Sequence, residues 1–267
     1  MTLAGGHRDR TLRSPGLRLG AIVVLVAASL PGITSLRAVQ GQARDPASGR
    51  LLYREDHLIR GDDAAPAERL VLYRCPDGTA FARKHVDYAA SQIAPAFSLV
   101  DARDGYREGL DRVGARTDVW SGAKRAVLAA GDGALVADAG FDEFLRRRWD
   151  ALRAQGELPI RFVVPSFGRS MAFHVERRDA SRIDGVPVQN FRLRLDGPLG
   201  LFTPNIDVAY DSIQRTLRRF DGISNIRSDA GKALRARIDF PLPPTAAADA
   251  QWQAALAAPL TRCALGG

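Results

Sequence analysis

The sequence predicts a mainly β fold of the α+β kind: a single curved antiparallel sheet or half-open β-barrel. One amphipathic helix is expected in its concave face, and a short helix near the C-terminus. Three observations carry this. Short stretches of alternating apolar and polar residues, about ten in number, are separated by Gly, Pro and Asp. One mid-chain segment alone switches clearly to helical period. No strand–helix–strand rhythm runs through the chain, which argues against a parallel sheet with crossover helices.

The chain opens with what reads as an export leader. His7, Arg8, Arg10, Arg13 and Arg18 give a basic region, interrupted only by Asp9, and Leu19 to Leu30 (LGAIVVLVAASL) is strongly apolar. Pro31-Gly32 interrupts it, and Gly41-Gln42-Ala43 places small residues where a signal peptidase reads them. A cleavable signal over 1–43 is expected, with a second cut conceivable after Ala38. The alternative is an uncleaved anchor, but twelve strongly apolar residues fall short of the ~20 that span a bilayer. The working chain would then start near Arg44, with 44–50 as a polar linker and 51–267 as one β-rich domain in the periplasm.

From there the elements follow in order. Leu51 to Arg60 alternates imperfectly, 61–66 (GDDAAP) reads as a turn, and Glu68 to Arg74 as the returning strand. Pro76-Asp77-Gly78 is a tight turn, because proline fixes φ and glycine accepts positive φ. Thr79 to Tyr88 completes a meander. Strands are expected again at Phe97–Arg103, Tyr106–Arg112 and Thr117–Leu128. From Gly140, the residues Phe141, Phe144, Leu145, Trp149 and Leu152 fall at helical spacing, opposite Asp142, Glu143, Arg146, Arg147 and Arg153, and Gly156 ends the helix. Strands resume at Leu158–Pro165, Ser170–Arg177, Val186–Asp196, Ile206–Tyr210, Thr216–Phe220 and Ala233–Phe240, with Asp221-Gly222 and Asp229-Ala230-Gly231 as turns. Pro241-Leu242-Pro243-Pro244 stops the sheet ahead of an alanine-rich helix, Ala246 to Ala258, that carries Trp252.

Charge and cysteine usage narrow the partners. The whole chain carries a formal +8, but five of its 38 Lys+Arg and one of its 30 Asp+Glu lie in the leader, leaving +4. That weakens a nucleic-acid reading. Base composition of the genome explains the Ala-, Gly- and Arg-rich bias as well as an anionic partner does, and Arg146-Arg147-Arg148 reads as a solvated helix face. Cys75 and Cys263 are expected to pair in an oxidising compartment, the alternative being two buried thiols that never meet.

No motif for catalysis or a metal stands out, and no cofactor is expected. Glu55 and His57 share a strand face at i and i+2, as do His85 and Asp87, yet no HExxH or CxxC spacing supports zinc. Gly222-Ile223-Ser224-Asn225 departs from the nucleophile elbow at its last position, Ser166 and Ser170 sit at a turn, and Asp101 and Asp104 lie beside arginines. A curled sheet leaves a concavity to fill, so the candidate ligand-binding residues are the helix aromatics Phe141, Phe144 and Trp149. To these the segment Tyr210 to Arg227 (YDSIQRTLRRFDGISNIR) adds Tyr210 and Phe220, with Ile223 as a further apolar anchor and Arg215, Arg219, Asp221 and Asn225 as polar contacts.

Taken together, the leader, the hairpin GRLLYREDHLIR…ERLVLYRCPDG, the helix GFDEFLRRRWDAL and the closing YDSIQRTLRRFDGISNIR…ARIDFP resemble an uncharacterised family of proteobacterial exported proteins. The layout is similar to the lipoprotein-carrier folds of the LolA and LolB type. The resemblance implies a periplasmic, non-enzymatic protein that binds a lipid, acyl or other apolar ligand in the cavity of a curved sheet. One alternative is a structural or assembly factor that contacts an envelope protein. Another is an exported hydrolase using His57 or His85.

Overall fold

The structure is a computed structural model, and it describes residues 1–2, 5, 35–114, 116–201 and 203–265, of which Leu199 and Leu201 are described by their backbone alone. The chain divides into two compact units, Met1–Ile33 and Thr34–Gly267. The first contributes Met1, Thr2 and Gly5 to the described residues, so the basic and apolar parts of the expected leader lie outside them. Everything below concerns the second unit.

That unit is mainly β: one large, curved, mixed sheet that does not close, with two helices. Its first run of strands is β1 (Leu36–Arg44), β2 (Leu51–Gly61), β3 (Pro66–Arg74), β4 (Ala80–Asp87), β5 (Ala96–Asp101), β6 (Arg107–Val113), β7 (Arg116–Ser121), β8 (Lys124–Val127) and β9 (Ala134–Val136). Helix α1 (Gly140–Gln155) follows. The second run is β10 (Glu157–Val164), β11 (Arg169–Arg177), β12 (Ser181–Ile183), β13 (Val186–Leu195), β14 (Ile206–Asp211), β15 (Leu217–Arg227), β16 (Ala233–Asp239) and β17 (Thr245–Ala246), before α2 (Asp249–Ala257).

Each strand from β1 to β8 pairs antiparallel with the next. The second run pairs likewise from β10 to β11, β13, β14, β15 and β16, with β12 beside the start of β13. Strand β1 joins the two runs. One edge pairs along its whole length with β2, and the other takes β17 at Arg37 and Ala38 and β16 at Gln42 to Arg44. The free ends of the sheet are β8 and β9, and β9 lies parallel to β10. Side chains rather than ladder bonds cover the seam between the ends: Val163 of β10 packs in one cluster with Leu110 and Val119 of β6 and β7.

This arrangement corrects several sequence expectations. Residues 36–44 are a strand in the middle of the sheet, with Ala43 wholly buried, and 45–49 are the turn into β2 rather than a linker. A cut after Ala43 or Ala38 would therefore remove sheet. The strand was hidden because its alternation is carried by Ala and Gly: Gly41 lies under Phe240, which fills the space a side chain would need. Thr117–Leu128 is two strands around Gly122, and Leu217–Arg227 runs through the Asp221-Gly222 turn expected there. Gly222 is in fact a close-approach glycine, packed beneath Ile206 of β14.

The two helices occupy opposite faces. Helix α1 crosses the concave side, starting at Gly140, where the carbonyl of Ile93 leaves no room for a Cβ, and ending at Gly156, whose N–H reaches the Leu152 carbonyl at 3.0 Å. Helix α2 lies on the convex side, where Trp252 covers Leu36, Leu58 and Leu70 and the Arg60 guanidinium stacks 4.3 Å from its ring. A disulfide joins Cys75, just after β3, to Cys263 beyond α2, as expected from the two cysteines.

Candidate functional site

The concave face has two regions that differ in chemistry, and α1 touches both. Over β10, β11, β13 and β14 it is aromatic. Trp149 meets Phe191 edge-on with ring centres 5.2 Å apart, Tyr210 stands 6.3 Å from both rings, and Phe141 meets Phe162 at 6.2 Å. Such pairs contribute about 0.5–1.5 kcal/mol each beyond the burial of their area. All five candidate residues fall in this cluster: Phe144, Trp149 and Tyr210 buried, Phe141 and Phe220 at its partly exposed margin. The structure thus brings together what the sequence reading grouped, but packs Phe144, Trp149 and Tyr210 as core. Ile223 is instead exposed.

Beneath the C-terminal half of α1 the packing leaves a pocket of about 290 Å3. Phe144, Arg148, Ala151 and Gln155 line it from the helix, and Ala134, Leu158 and Pro159 from the β9 and β10 side. The four helix positions are spaced 4, 3 and 4 residues apart, so they form one stripe along the helix. Sequence reasoning picked Phe144 and assigned Arg148 to a solvated run. The stripe itself was the signal that it missed.

Over β2 to β6 the concave face sets a polar network among buried apolar residues such as Val71, Tyr73 and Leu99. Arg69 donates to Asp142 at 3.0 Å, and Asp142 also accepts from the Tyr210 hydroxyl. Lys84 Nζ lies 2.8 Å from Asp138, which also accepts from Asn225 at 3.0 Å. Asn225 donates onward to Glu108 at 3.2 Å, and Tyr106 donates to Glu108 at 2.8 Å. Burial acts against the charge of Asp142, but the Arg69 and Arg146 guanidiniums and the Tyr210 hydrogen bond outweigh it and hold the carboxyl below its usual range. At Glu108 burial wins and pushes the carboxyl up, despite the Tyr106 and Asn225 hydrogen bonds. Burial, with Glu108 beside it, raises the Tyr106 phenol to about 12.

The histidines do not converge. His57 lies on the concave face, 2.7 Å from Glu55, as the i, i+2 spacing indicated. His85 is on the convex face beside Trp252 and pairs with Glu68 at 3.1 Å, not with Asp87. His174 pairs with Asp196 at 2.5 Å. Among the described residues no group of three or more His, Cys, Asp and Glu is arranged to hold a metal ion. Of the polar contacts expected around Tyr210 to Arg227, Arg219 pairs with Asp239 at 2.5 Å and Arg235 with Asp221 at 2.9 Å, both cross-strand pairs. Arg215 stacks 5.4 Å from the Trp149 ring.

No family model matches the chain, and no curated protein matches it. Among solved structures it is similar to a β-barrel-like protein of a domain of unknown function, DUF1849, from Brucella abortus. The two share 12% identity with a TM-score of 0.41, over 80% of this chain and 98% of the other. The LolA and LolB layout remains a resemblance read from the sequence.

Proposed function

We propose that this is a non-enzymatic binding protein that shelters an apolar group, such as a lipid acyl chain, between α1 and the concave face of its sheet. The pocket beneath α1 carries the reading: it is concave, five of its seven lining residues are apolar, and a buried aromatic forms part of its wall. At about 290 Å3 it sits at the small end of the ~300–1,000 Å3 typical of ligand pockets, which suits part of a chain rather than a whole lipid. The apparent leader and the disulfide support an exported, oxidising location for this role.

Native mass spectrometry of protein purified from its own host, followed by solvent extraction, tests the reading. A co-purifying acyl species is expected, and it should be lost in Ala151→Trp, which fills the pocket from a half-exposed position, and in Phe144→Asp. A ligand-free mass together with failure of added acyl compounds to bind would overturn it. Circular dichroism of both variants separates loss of the pocket from loss of the fold.

A second reading, an envelope assembly factor, is favoured by the free edge of β8. Among the described residues that strand pairs with β7 alone, and it exposes Val127, so an extended segment of a protein partner could add to it.

A further inference from the structure

Two polar groups at the pocket make its chemistry more specific than a greasy hollow. Arg148 and Gln155 are the only lining residues that carry polar side chains, and both sit on the same helix stripe as Phe144 and Ala151. The neighbouring basic residues are already engaged. Arg146 pairs with Glu143, and Arg147 donates to the Ala64 carbonyl at 3.3 Å. Among the described residues no carboxylate pairs with Arg148, so the one charge at the pocket is an uncommitted cation.

We propose that the ligand is a short-chain acyl carboxylate, its tail against Phe144, Ala151 and Leu158 and its carboxylate on the Arg148 guanidinium. This rests on the binding role proposed above and names its ligand class. The direction is set by the helix. Gln155 lies in the last turn, where the free carbonyl ends repel an anion, whereas Arg148 lies two turns earlier. The carboxylate therefore belongs at the Arg148 end, with the chain running toward Leu158 and Pro159. A planar guanidinium can donate to both carboxylate oxygens at once, which a lysine could not match.

The comparison that tests this is decanoate against decanol, titrated calorimetrically into the full chain at pH 7.5, wild type and Arg148→Gln. Decanoate is expected to bind about ten-fold tighter than decanol to the wild type, as one charge-assisted contact would give. In Arg148→Gln that preference should shrink to about two-fold or less. Equal binding of acid and alcohol to the wild type, or an unchanged preference in Arg148→Gln, would overturn the carboxylate assignment and leave the apolar pocket standing. Failure of both compounds to bind the folded wild type would take the binding role down with it. Arg148 is exposed, so the substitution leaves the fold intact.

Discussion

The two regions of the concave face hold the same helix by different physics. Over β10 to β14, α1 rests on aromatic rings, whose attraction is short-ranged and tolerant of sliding. Over β2 to β6 its N-terminal end is fixed by directional contacts: Asp138, just before the helix, is held by Lys84 and Asn225, and Asp142 in its first turn by Arg69 and Tyr210. The pocket lies under the other half of the helix. The end that covers the cavity is held by packing, by the Arg215 contacts with Trp149 and Asp150, and by the Arg177 N–H donating to the Gly156 carbonyl where the chain enters β10.

The largest expected effect comes from removing what joins the regions. A chain beginning at Arg44 lacks β1, and with it the partner of β2, β16 and β17 at once. It should show no cooperative thermal transition, because the loss exceeds the ~5–15 kcal/mol that holds an ordinary domain together. A chain beginning at Thr34 should unfold cooperatively. If both chains melted alike by circular dichroism, β1 would not be the joint between the two runs of strands.

A smaller effect separates the pinned end from the packed one. Arg69→Met leaves the partly buried Asp142 with Arg146 as its remaining cation and should cost up to about 3 kcal/mol in denaturant unfolding at pH 7, most of it recovered by adding Asp142→Asn. The pH dependence follows from the depressed carboxyl. Its contribution is present above the usual carboxylate range and fades as pH falls through the lower folded value, so the gap between wild type and Arg69→Met should narrow below about pH 4. A gap that stayed constant would show that Arg69 acts through packing of its stem alone.

The smallest effect has the opposite sign. Burial raises the Glu108 carboxyl, so its ionised form weakens the fold at neutral pH, and that penalty is relieved as pH falls through the raised value toward the unfolded one. Glu108→Gln should raise Tm by about 1–3 °C at pH 7.5 and make no difference near pH 4. A lower Tm at pH 7.5 would mean that the Tyr106 and Asn225 hydrogen bonds depend on the charge.

Much of this frame was legible in the sequence because it is written in side-chain period. Alternation located β2 to β7, β10, β11, β13 and β14, and the 3.6-residue spacing from Gly140 placed α1 with the correct first residue and the correct terminating glycine. What escaped was coded otherwise. Strand β1 alternates in small residues, β9, β12 and β17 are two or three residues long, and Gly222 reads as a turn until Ile206 is seen above it. The aromatic cluster was readable residue by residue, since each member is large and apolar. The polar region was not, because Arg69, Lys84, Glu108 and Asp138 are far apart in sequence and meet only when five strands curl around the helix start.

Strand β1 also sets the order in which the molecule can be completed during its own synthesis. It can form a hairpin with β2 as soon as a few dozen residues have emerged, but its other edge must wait for β16 and β17, and Cys75 for Cys263, until nearly all of the chain has been made. In the interval β1 is an exposed edge strand, the kind of surface on which nascent chains aggregate. Small residues such as Ala38, Gly41 and Ala43 make that waiting edge a poor template for foreign strands, and what conceals β1 from a sequence reader also protects it from the wrong partner.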